Sequence, residues 1–227
     1  MTITKNFLRR YTNLPSLIHI LSTQTLTFLD PGSWDDRNDS YFMQLYKDNR
    51  SLKTLLALCF SQETETYHHW RVFADGSSGI CITFRKKELL DALETTSEIR
   101  HGEVEYLKLA DLSSHNPKSK RLPFLKRAPF QHEAEFRIVY ESKEISLPFV
   151  PVDIPLECID RITLSPWMPK SISDAVKEVL VKIPTGSNLT VSRSTLIQND
   201  TWTNFGRSIV GLPSNKKSSK AAKKPLK

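Results

Sequence analysis

Polar and apolar residues alternate with a period of two in His132-Glu133-Ala134-Glu135-Phe136-Arg137-Ile138-Val139-Tyr140. In a β-strand this period places Glu133, Glu135, Arg137 and Val139 on one face and Ala134, Phe136, Ile138 and Tyr140 on the other, so it predicts a half-buried strand. The two carboxylates would lie about 6–7 Å apart, close enough to act on one small ligand. Arg137 would hold one of them ionised. The alternative interpretation is an ordinary strand whose polar face carries a Glu–Arg pair.

Residue patterns in the rest of the chain predict further strands and helices in mixed order. Continuous apolar runs at residues 55–60 and 80–84 predict strands buried on both faces. Shorter strands are predicted at residues 7–12, 25–29, 104–106, 145–150 (at an edge, because of Pro148), 161–164 and 189–192. Helices are predicted at residues 13–21, 42–49, 63–73, 86–94 and 171–181, with a polar loop at 34–39 and a helical turn at 125–130. These elements predict a single α+β domain over residues 1–210 with a mixed, mostly antiparallel sheet.

The basic charge of the chain is concentrated at its C-terminal end. The formal net charge is +7, but six lysines lie in the last fourteen residues, leaving +1 for the rest. Residues 211–227 therefore form a predicted basic disordered tail. Such a tail could contact nucleic acid by releasing counterions, although a solubilising tail is the plainer interpretation.

The cysteines and the N-terminus favour a reducing cytoplasmic location. The three cysteines lie far apart in the chain, which argues against a disulfide framework and a Cys-x-x-Cys metal knuckle. Pro15 and His19 interrupt the first apolar segment, so no secretory signal is predicted. No run reaches the roughly eighteen apolar residues that a membrane span needs.

The sequence lacks the motifs of several common nucleotide-binding and hydrolase sites. The seven glycines build neither a dinucleotide-binding fingerprint nor a phosphate-binding loop, and no Gly-x-Ser-x-Gly elbow is present. His68 and His69 are adjacent but have no third ligand at useful spacing, so we expect no metal.

The remaining candidates are polar residues that end or flank apolar strands, where small-molecule sites commonly form. They are Arg10-Tyr11-Thr12 after the first strand, Ser61 after a buried strand, Trp70 on the next helix, and Glu133 with Glu135 on the late strand.

The same residues carry a resemblance to a known family. Arg-Tyr-Thr-Asn-Leu-x-Ser-Leu-x-x-Ile-Leu at residues 10–21 resembles the opening of an uncharacterised prokaryotic family, domain of unknown function 2971. The resemblance continues through Asn38-Asp39, Leu58-Cys59-Phe60-Ser61, Trp70, residues 79–84 and Glu133-x-Glu135-Phe136-Arg137-Ile138-Val139, and covers most of residues 7–196.

More remotely, this order is similar to the ADP-ribosyltransferase superfamily, which implies NAD as a substrate. By that resemblance Glu135 would be the catalytic carboxylate and Arg10 would contact the adenosine ribose or the phosphates. Ser61 or Tyr67 would belong to the nicotinamide pocket, where Tyr11, Tyr67 or Trp70 could stack on the ring. The strand period leaves open whether Arg9 or Arg10 faces the cleft.

Three hypotheses about function follow. The first is an NAD-dependent ADP-ribosyltransferase or NAD glycohydrolase, as a toxin or phage-defence effector, that modifies a protein or nucleic acid, with Glu133 orienting the acceptor. The second is a binding module on the same fold that holds a nucleotide or nucleic acid. The third is a structural or interaction protein in which Glu133 and Glu135 face bulk water near no pocket.

Overall fold

A computed structural model describes residues 6–183 and 189–214, and in these ranges the chain forms eleven strands and six α-helices. The strands are β1 (Phe7–Asn13), β2 (Thr25–Leu29), β3 (Thr54–Ser61), β4 (Gly79–Arg85), β5 (Ile99–Glu103), β6 (Glu105–Leu107), β7 (Leu125–Arg127), β8 (Glu135–Ser142), β9 (Phe149–Asp153), β10 (Ile159–Leu164) and β11 (Thr190–Arg193). The helices are α1 (Leu14–Thr23), α2 (Arg37–Asn49), α3 (Tyr67–Phe73), α4 (Lys86–Leu93), α5 (Lys170–Leu180) and α6 (Asp200–Ile209). The predicted α+β class is confirmed.

Nine of these strands form one sheet in the order β11-β10-β4-β1-β3-β2-β9, with β8 bonded to β3 and β5. All of its pairs are antiparallel except β10 with β11, so the predicted mixed, mostly antiparallel sheet is confirmed. Strand β9 lies at one end of the order, but it begins at Phe149, after Pro148, so the edge strand predicted at residues 145–150 is displaced toward the C-terminus. Strands β6 and β7 make a separate parallel pair.

Strand β3 is the centre of the sheet and the point at which it divides. Strand β8 pairs with β3 along its whole length, from Thr54 opposite Ser142 to Ser61 opposite Glu135. Strand β1 pairs with β3 at one position only, Arg9 opposite Ser61, although it pairs with β4 over seven residues. The β1 and β3 backbones therefore diverge on either side of this single pair, which leaves room for a cleft between the two parts of the sheet.

The core explains why the central strands read as continuous apolar runs. Side chains from both parts of the sheet and from α1, α4 and α5 join one buried cluster, which includes Leu8, Leu58, Ile82 and Ile138. A second cluster around Met43 and Tyr46 packs α2 against the opposite face of β3 and β8. Strands covered on both faces need apolar residues at nearly every position.

The strand predicted from residues 132–140 is wrong in two respects. Strand β8 begins at Glu135, because Ala128–Glu133 forms 3₁₀ turns and Ala134 adopts a left-handed conformation with φ of 43°. Glu133 is therefore not on the strand. Both faces of β8 are buried, including Arg137 and Val139, so the strand is not half-exposed.

Other predicted bounds need smaller corrections. Helix α2 begins at Arg37 rather than residue 42, within the predicted polar loop, because Asp36 caps it. Helix α3 is limited to Tyr67–Phe73. Strand β5 and helix α6 were not predicted, and residues 125–127, predicted as part of a helical turn, form strand β7. The predicted tail lies outside the described residues from residue 215 onward.

A cleft with a buried carboxylate cluster

The candidate site is a cleft of about 360 Å³ where β1 and β3 diverge. That volume falls in the range of small-molecule pockets. Strand β1 contributes Arg9, Arg10 and Tyr11, and β3 contributes Cys59, Phe60 and Ser61. The other side is formed by the start of α2 and by residues around β7 and β8, namely Trp34, Asp35, Asp36, Asp39, Lys126, Phe130, Glu133 and Glu135, together with Val72 and Phe73 of α3.

Glu135 is held at the base of the cleft by Arg137, whose side chain is fully buried. Arg137 Nε donates to Glu135 Oε1 and Arg137 Nη2 donates to Glu135 Oε2, both at 2.9 Å. The guanidinium also donates to Asp39 Oδ1 at 2.9 Å and to Asp39 Oδ2 at 2.8 Å. A fifth bond of 2.7 Å goes to the carbonyl oxygen of Pro123, so all five donors are used.

Lys126 links Glu135 to Glu133. Its ammonium group donates to Glu133 Oε2 at 2.5 Å and to Glu135 Oε2 at 3.2 Å, and it lies 3.6 Å from Asp39 Oδ2. Glu133 thus reaches the same cation as Glu135 from the preceding turn, although it is not on the strand. With every group ionised, the three carboxylates and two cations of this cluster carry a net charge of −1.

The surroundings lower the pKa of Glu135 but raise those of Glu133 and Asp39. Burial raises the pKa of Glu135, but Arg137 and Lys126 together outweigh burial and bring that pKa to about 2. Burial raises the pKa of Glu133 and of Asp39, and the nearby cations offset this only in part. The lowered pKa favours an ionised Glu135 at neutral pH, which is the direction expected for a carboxylate in contact with Arg137.

Both candidate arginines of β1 line the cleft, which resolves the question that the strand period left open. Arg9 Nη1 donates to the carbonyl oxygen of Glu63 at 2.7 Å, and Arg10 Nη1 donates to that of Cys59 at 3.3 Å. Burial lowers the pKa of Arg10, and the Cys59 side chain acts in the opposite direction. Within the described residues each guanidinium makes one hydrogen bond, which leaves most of its five donors unused there.

Ser61 closes the cleft beside Glu133 through a hydrogen-bonded chain. Its hydroxyl donates to the carbonyl oxygen of Glu133 at 2.7 Å and lies 3.2 Å from His69 Nε2. His69 Nδ1 lies 2.6 Å from the Thr66 hydroxyl. A neutral His69 protonated at Nε2, accepting at Nδ1 from Thr66, satisfies these contacts. Burial lowers the pKa of His69, which favours this neutral form.

Tyr11 packs behind this chain, stacked on His69 at 5.5 Å between ring centroids and edge-on to Trp70 at 5.2 Å. Trp70 is fully buried, and its indole N–H donates to Glu65 Oε1 at 2.6 Å. Tyr67 is about half exposed beside Trp167. Thr12, Tyr67 and Trp70 do not line the cleft, whereas the other predicted site residues do.

Asp39 and Lys126 complete the cluster, but neither was among the predicted site residues. Asn38-Asp39 was part of the family resemblance and was the available signal for Asp39, but no signal marked Lys126. Glu133 and Glu135 are 7% and 5% exposed, so the third hypothesis, in which they face bulk water, does not describe them.

Metal binding and membrane crossing can be assessed for the described residues. They hold no group of three or more His, Cys, Asp and Glu side chains placed to bind a metal ion. Within residues 6–183 and 189–214, every helix is too short or too polar to cross a bilayer.

Comparisons with known proteins identify no family. No family model matches the chain, and no curated protein matches it. DarT of Thermus sp. 2.9 in complex with NAD+ is similar at 10% identity and a TM-score of 0.44, over 86% of this chain and 98% of that chain. DarT of Thermus sp. 2.9 in complex with carba-NAD+ is similar at 10% identity and a TM-score of 0.42, over 84% of this chain and 96% of that chain. DarT of Thermus sp. 2.9 in complex with ADP-ribosylated ssDNA is similar at 10% identity and a TM-score of 0.43, over 84% of this chain and 94% of that chain. Likeness at this level establishes neither activity nor ligand, and membership of domain of unknown function 2971 stays a prediction.

Proposed function

We propose that this chain is an NAD-dependent ADP-ribosyltransferase or NAD glycohydrolase whose active site is the cleft between β1 and β3. The observation that carries the proposal is that Glu135, paired with Arg137 and Lys126, lines the same cleft as Arg9 and Arg10. Cleavage of the bond between nicotinamide and ribose develops positive charge on the ribose. A fixed carboxylate stabilises such charge without reorganising.

In this proposal the two sides of the cleft have separate tasks. Arg9 and Arg10 hold the diphosphate of NAD, for which the planar guanidinium is suited. Glu135 accepts a hydrogen bond from a ribose hydroxyl and faces the developing cation. Tyr11 and Ser61 form the wall for the nicotinamide ring, and Phe73 lies on the same cleft surface as a further apolar contact.

Glu133 is proposed to orient the acceptor. Its raised pKa makes it the carboxylate of the pair that is more easily protonated, so it can exchange a proton that Glu135 cannot. The acceptor would be a protein or nucleic acid, or water in a glycohydrolase. Action as a toxin or phage-defence effector belongs to the same proposal.

The test is nicotinamide release from NAD by the purified protein, alone and with cell extract. Glu135→Gln keeps the shape of the side chain and removes its charge, and we expect release to fall about 10²–10³-fold. Glu141→Gln is the matched control, because Glu141 is also on β8, partly buried and ion-paired, at 2.6 Å to Arg100, but is remote from the cleft. Equal release by the wild type and Glu135→Gln, with both folded, would refute the catalytic role.

One observation favours the second hypothesis, a binding module. Both oxygens of Glu135 already accept hydrogen bonds from Arg137 or Lys126, which suits a structural anion. Calorimetric titration with NAD separates the two: binding without release, even with extract, indicates a binding module. If the protein neither binds NAD nor releases nicotinamide, both hypotheses about the cleft are rejected.

A further inference from the structure

A second cavity, of about 430 Å³, has a lining whose titratable side chains are all basic. Its lining residues are Arg50, Arg100, His101, Lys120, Arg121 and Phe124, and we call it the basic cavity. They come from the end of α2, from edge strand β5 and from the 3₁₀ turns at Ser119–Phe124. We propose that the basic cavity binds phosphate groups.

Arg100 is the fixed element of the basic cavity. Its Nη1 donates to Glu141 Oε1 at 2.6 Å and to the Tyr46 hydroxyl, and its Nη2 donates to the carbonyl oxygen of Lys120 at 3.0 Å. The Arg100 and Arg121 guanidinium carbons lie 5.7 and 5.6 Å from the Phe124 ring centroid. One aromatic ring therefore holds both guanidinium groups at the cavity, where their planar donors suit phosphate oxygens.

The charge at the basic cavity is only partly neutralised. Glu141 neutralises Arg100, and Glu105 lies 3.6 Å from Arg121 while also facing His115 at 3.0 Å. Arg50 and Lys120 make no side-chain hydrogen bond or ion pair with any residue in the two described ranges. Arg50 caps the C-terminus of α2, where a cation is favoured on its own account. That explanation does not extend to Lys120 or Arg121, which come from another segment.

The basic cavity is separate from the cleft. Helix α2 connects them: Asp39 in its first turn lines the cleft and Arg50 follows its last residue. Eleven residues at 1.5 Å each put about 16 Å between these positions along the helix. A phosphate in the basic cavity thus does not touch Glu135, and the proposal stands or falls independently of NAD cleavage.

Phosphate can be supplied by a nucleic acid strand or by a free phosphorylated compound, and the test distinguishes them. The full-length chain is titrated with inorganic pyrophosphate by calorimetry, and with a labelled twelve-nucleotide oligothymidine by fluorescence anisotropy at several salt concentrations. The variant is Arg50→Gln combined with Lys120→Gln, chosen because neither side chain makes a hydrogen bond or ion pair with the described residues. The matched control is Lys108→Gln with Lys182→Gln, two exposed lysines that line neither cavity.

We expect the Arg50/Lys120 variant to bind at least one probe about tenfold or more weakly than the control variant. If a strand is the ligand, the slope of log affinity against log salt becomes shallower by about 1.4, from two lost phosphate contacts at about 0.7 each. Loss for pyrophosphate alone indicates a free phosphorylated compound. Binding of both probes equal to that of the control variant overturns the proposal.

Discussion

Replacing Arg137 by Met tests the assignment of the buried cluster most directly. Met fills much of the space of the side chain but donates no hydrogen bond. It removes five bonds, four of them to the carboxylates of Glu135 and Asp39. Lys126 then remains as the cation for three carboxylates, and the formal charge of the cluster changes from −1 to −2.

The size of the effect follows from the burial of this group. Removing one partner of a buried ion pair costs about 3–5 kcal/mol of unfolding free energy, because it leaves an uncompensated charge. For a domain of this size each kcal/mol shifts the melting temperature by about 2–4 °C, so we expect a fall of roughly 6–20 °C. Urea unfolding followed by tryptophan fluorescence measures the free energy, and Trp34, 4.7 Å from the Arg137 guanidinium carbon, lies beside the changed group.

The pH dependence of this loss distinguishes charge from packing. In the wild type, Glu135 with its lowered pKa contributes stability above its unfolded pKa, and this is lost as pH falls toward 2. The deficit of Arg137→Met should therefore be full at pH 7 and shrink below about pH 4.5. Arg161→Met is the control: this half-exposed arginine pairs with the adjacent Asp160 and should change stability by less than about 0.5 kcal/mol. A loss below about 1 kcal/mol at pH 7, or one independent of pH, would refute the reasoning.

Two further predictions concern single groups. In Glu135→Gln, the fall in unfolding free energy between pH 4.5 and pH 2 should be smaller than in the wild type by about 3 kcal/mol, since a pKa lowered to about 2 is worth 1.36 kcal/mol per unit. Acid titration of stability measures this, and parallel curves would contradict it. Tyr11→Phe should change stability by less than about 1 kcal/mol, because the buried Tyr11 hydroxyl has no nitrogen or oxygen hydrogen-bond partner among the described residues, and the Cys81 thiol that affects its pKa is a weak acceptor. Urea unfolding checks this, and a loss above 1 kcal/mol would mean that the hydroxyl has a partner in solution.

The fold was predictable where one pattern dominates a segment. The apolar runs of β3 and β4 follow from burial on both faces, and Asn13 with Pro15 marked the start of α1, where the Asn13 side chain accepts from the Ser16 N–H. The predicted start of α2 was too late because residues 37–41 are mostly polar and show no apolar face. The signal for the true start is Asp36, whose side chain caps the helix. The start of β8 was misplaced because alternation in sequence continues through a left-handed Ala134, which ends the strand geometry.

The site was predictable only as far as neighbours in sequence determine it. Arg137 holds Glu135 from two positions away, and the strand period shows that contact. Asp39 reaches Arg137 across 98 positions, and Lys126 reaches the cluster from β7, which the sequence did not predict as a strand. Glu133 lies near Glu135, as predicted, but not because both are on one strand face. The 3₁₀ turn brings Glu133 to Lys126, which also contacts Glu135.

The contacts that keep Glu135 ionised also constrain how it could serve a ligand. A carboxylate offers about four acceptor positions, and Arg137 takes two of them and Lys126 a third. The thiol of Cys59, which lines the cleft, also helps to lower the pKa of Glu135, although less than the two cations do. A thiol is a weaker hydrogen-bonding group than either cation, so a ribose hydroxyl that approaches Glu135 on the Cys59 side disturbs the cluster least. In the proposed reaction the ribose would therefore reach Glu135 on the Cys59 side, with Arg137 and Lys126 left in place to keep the carboxylate charged.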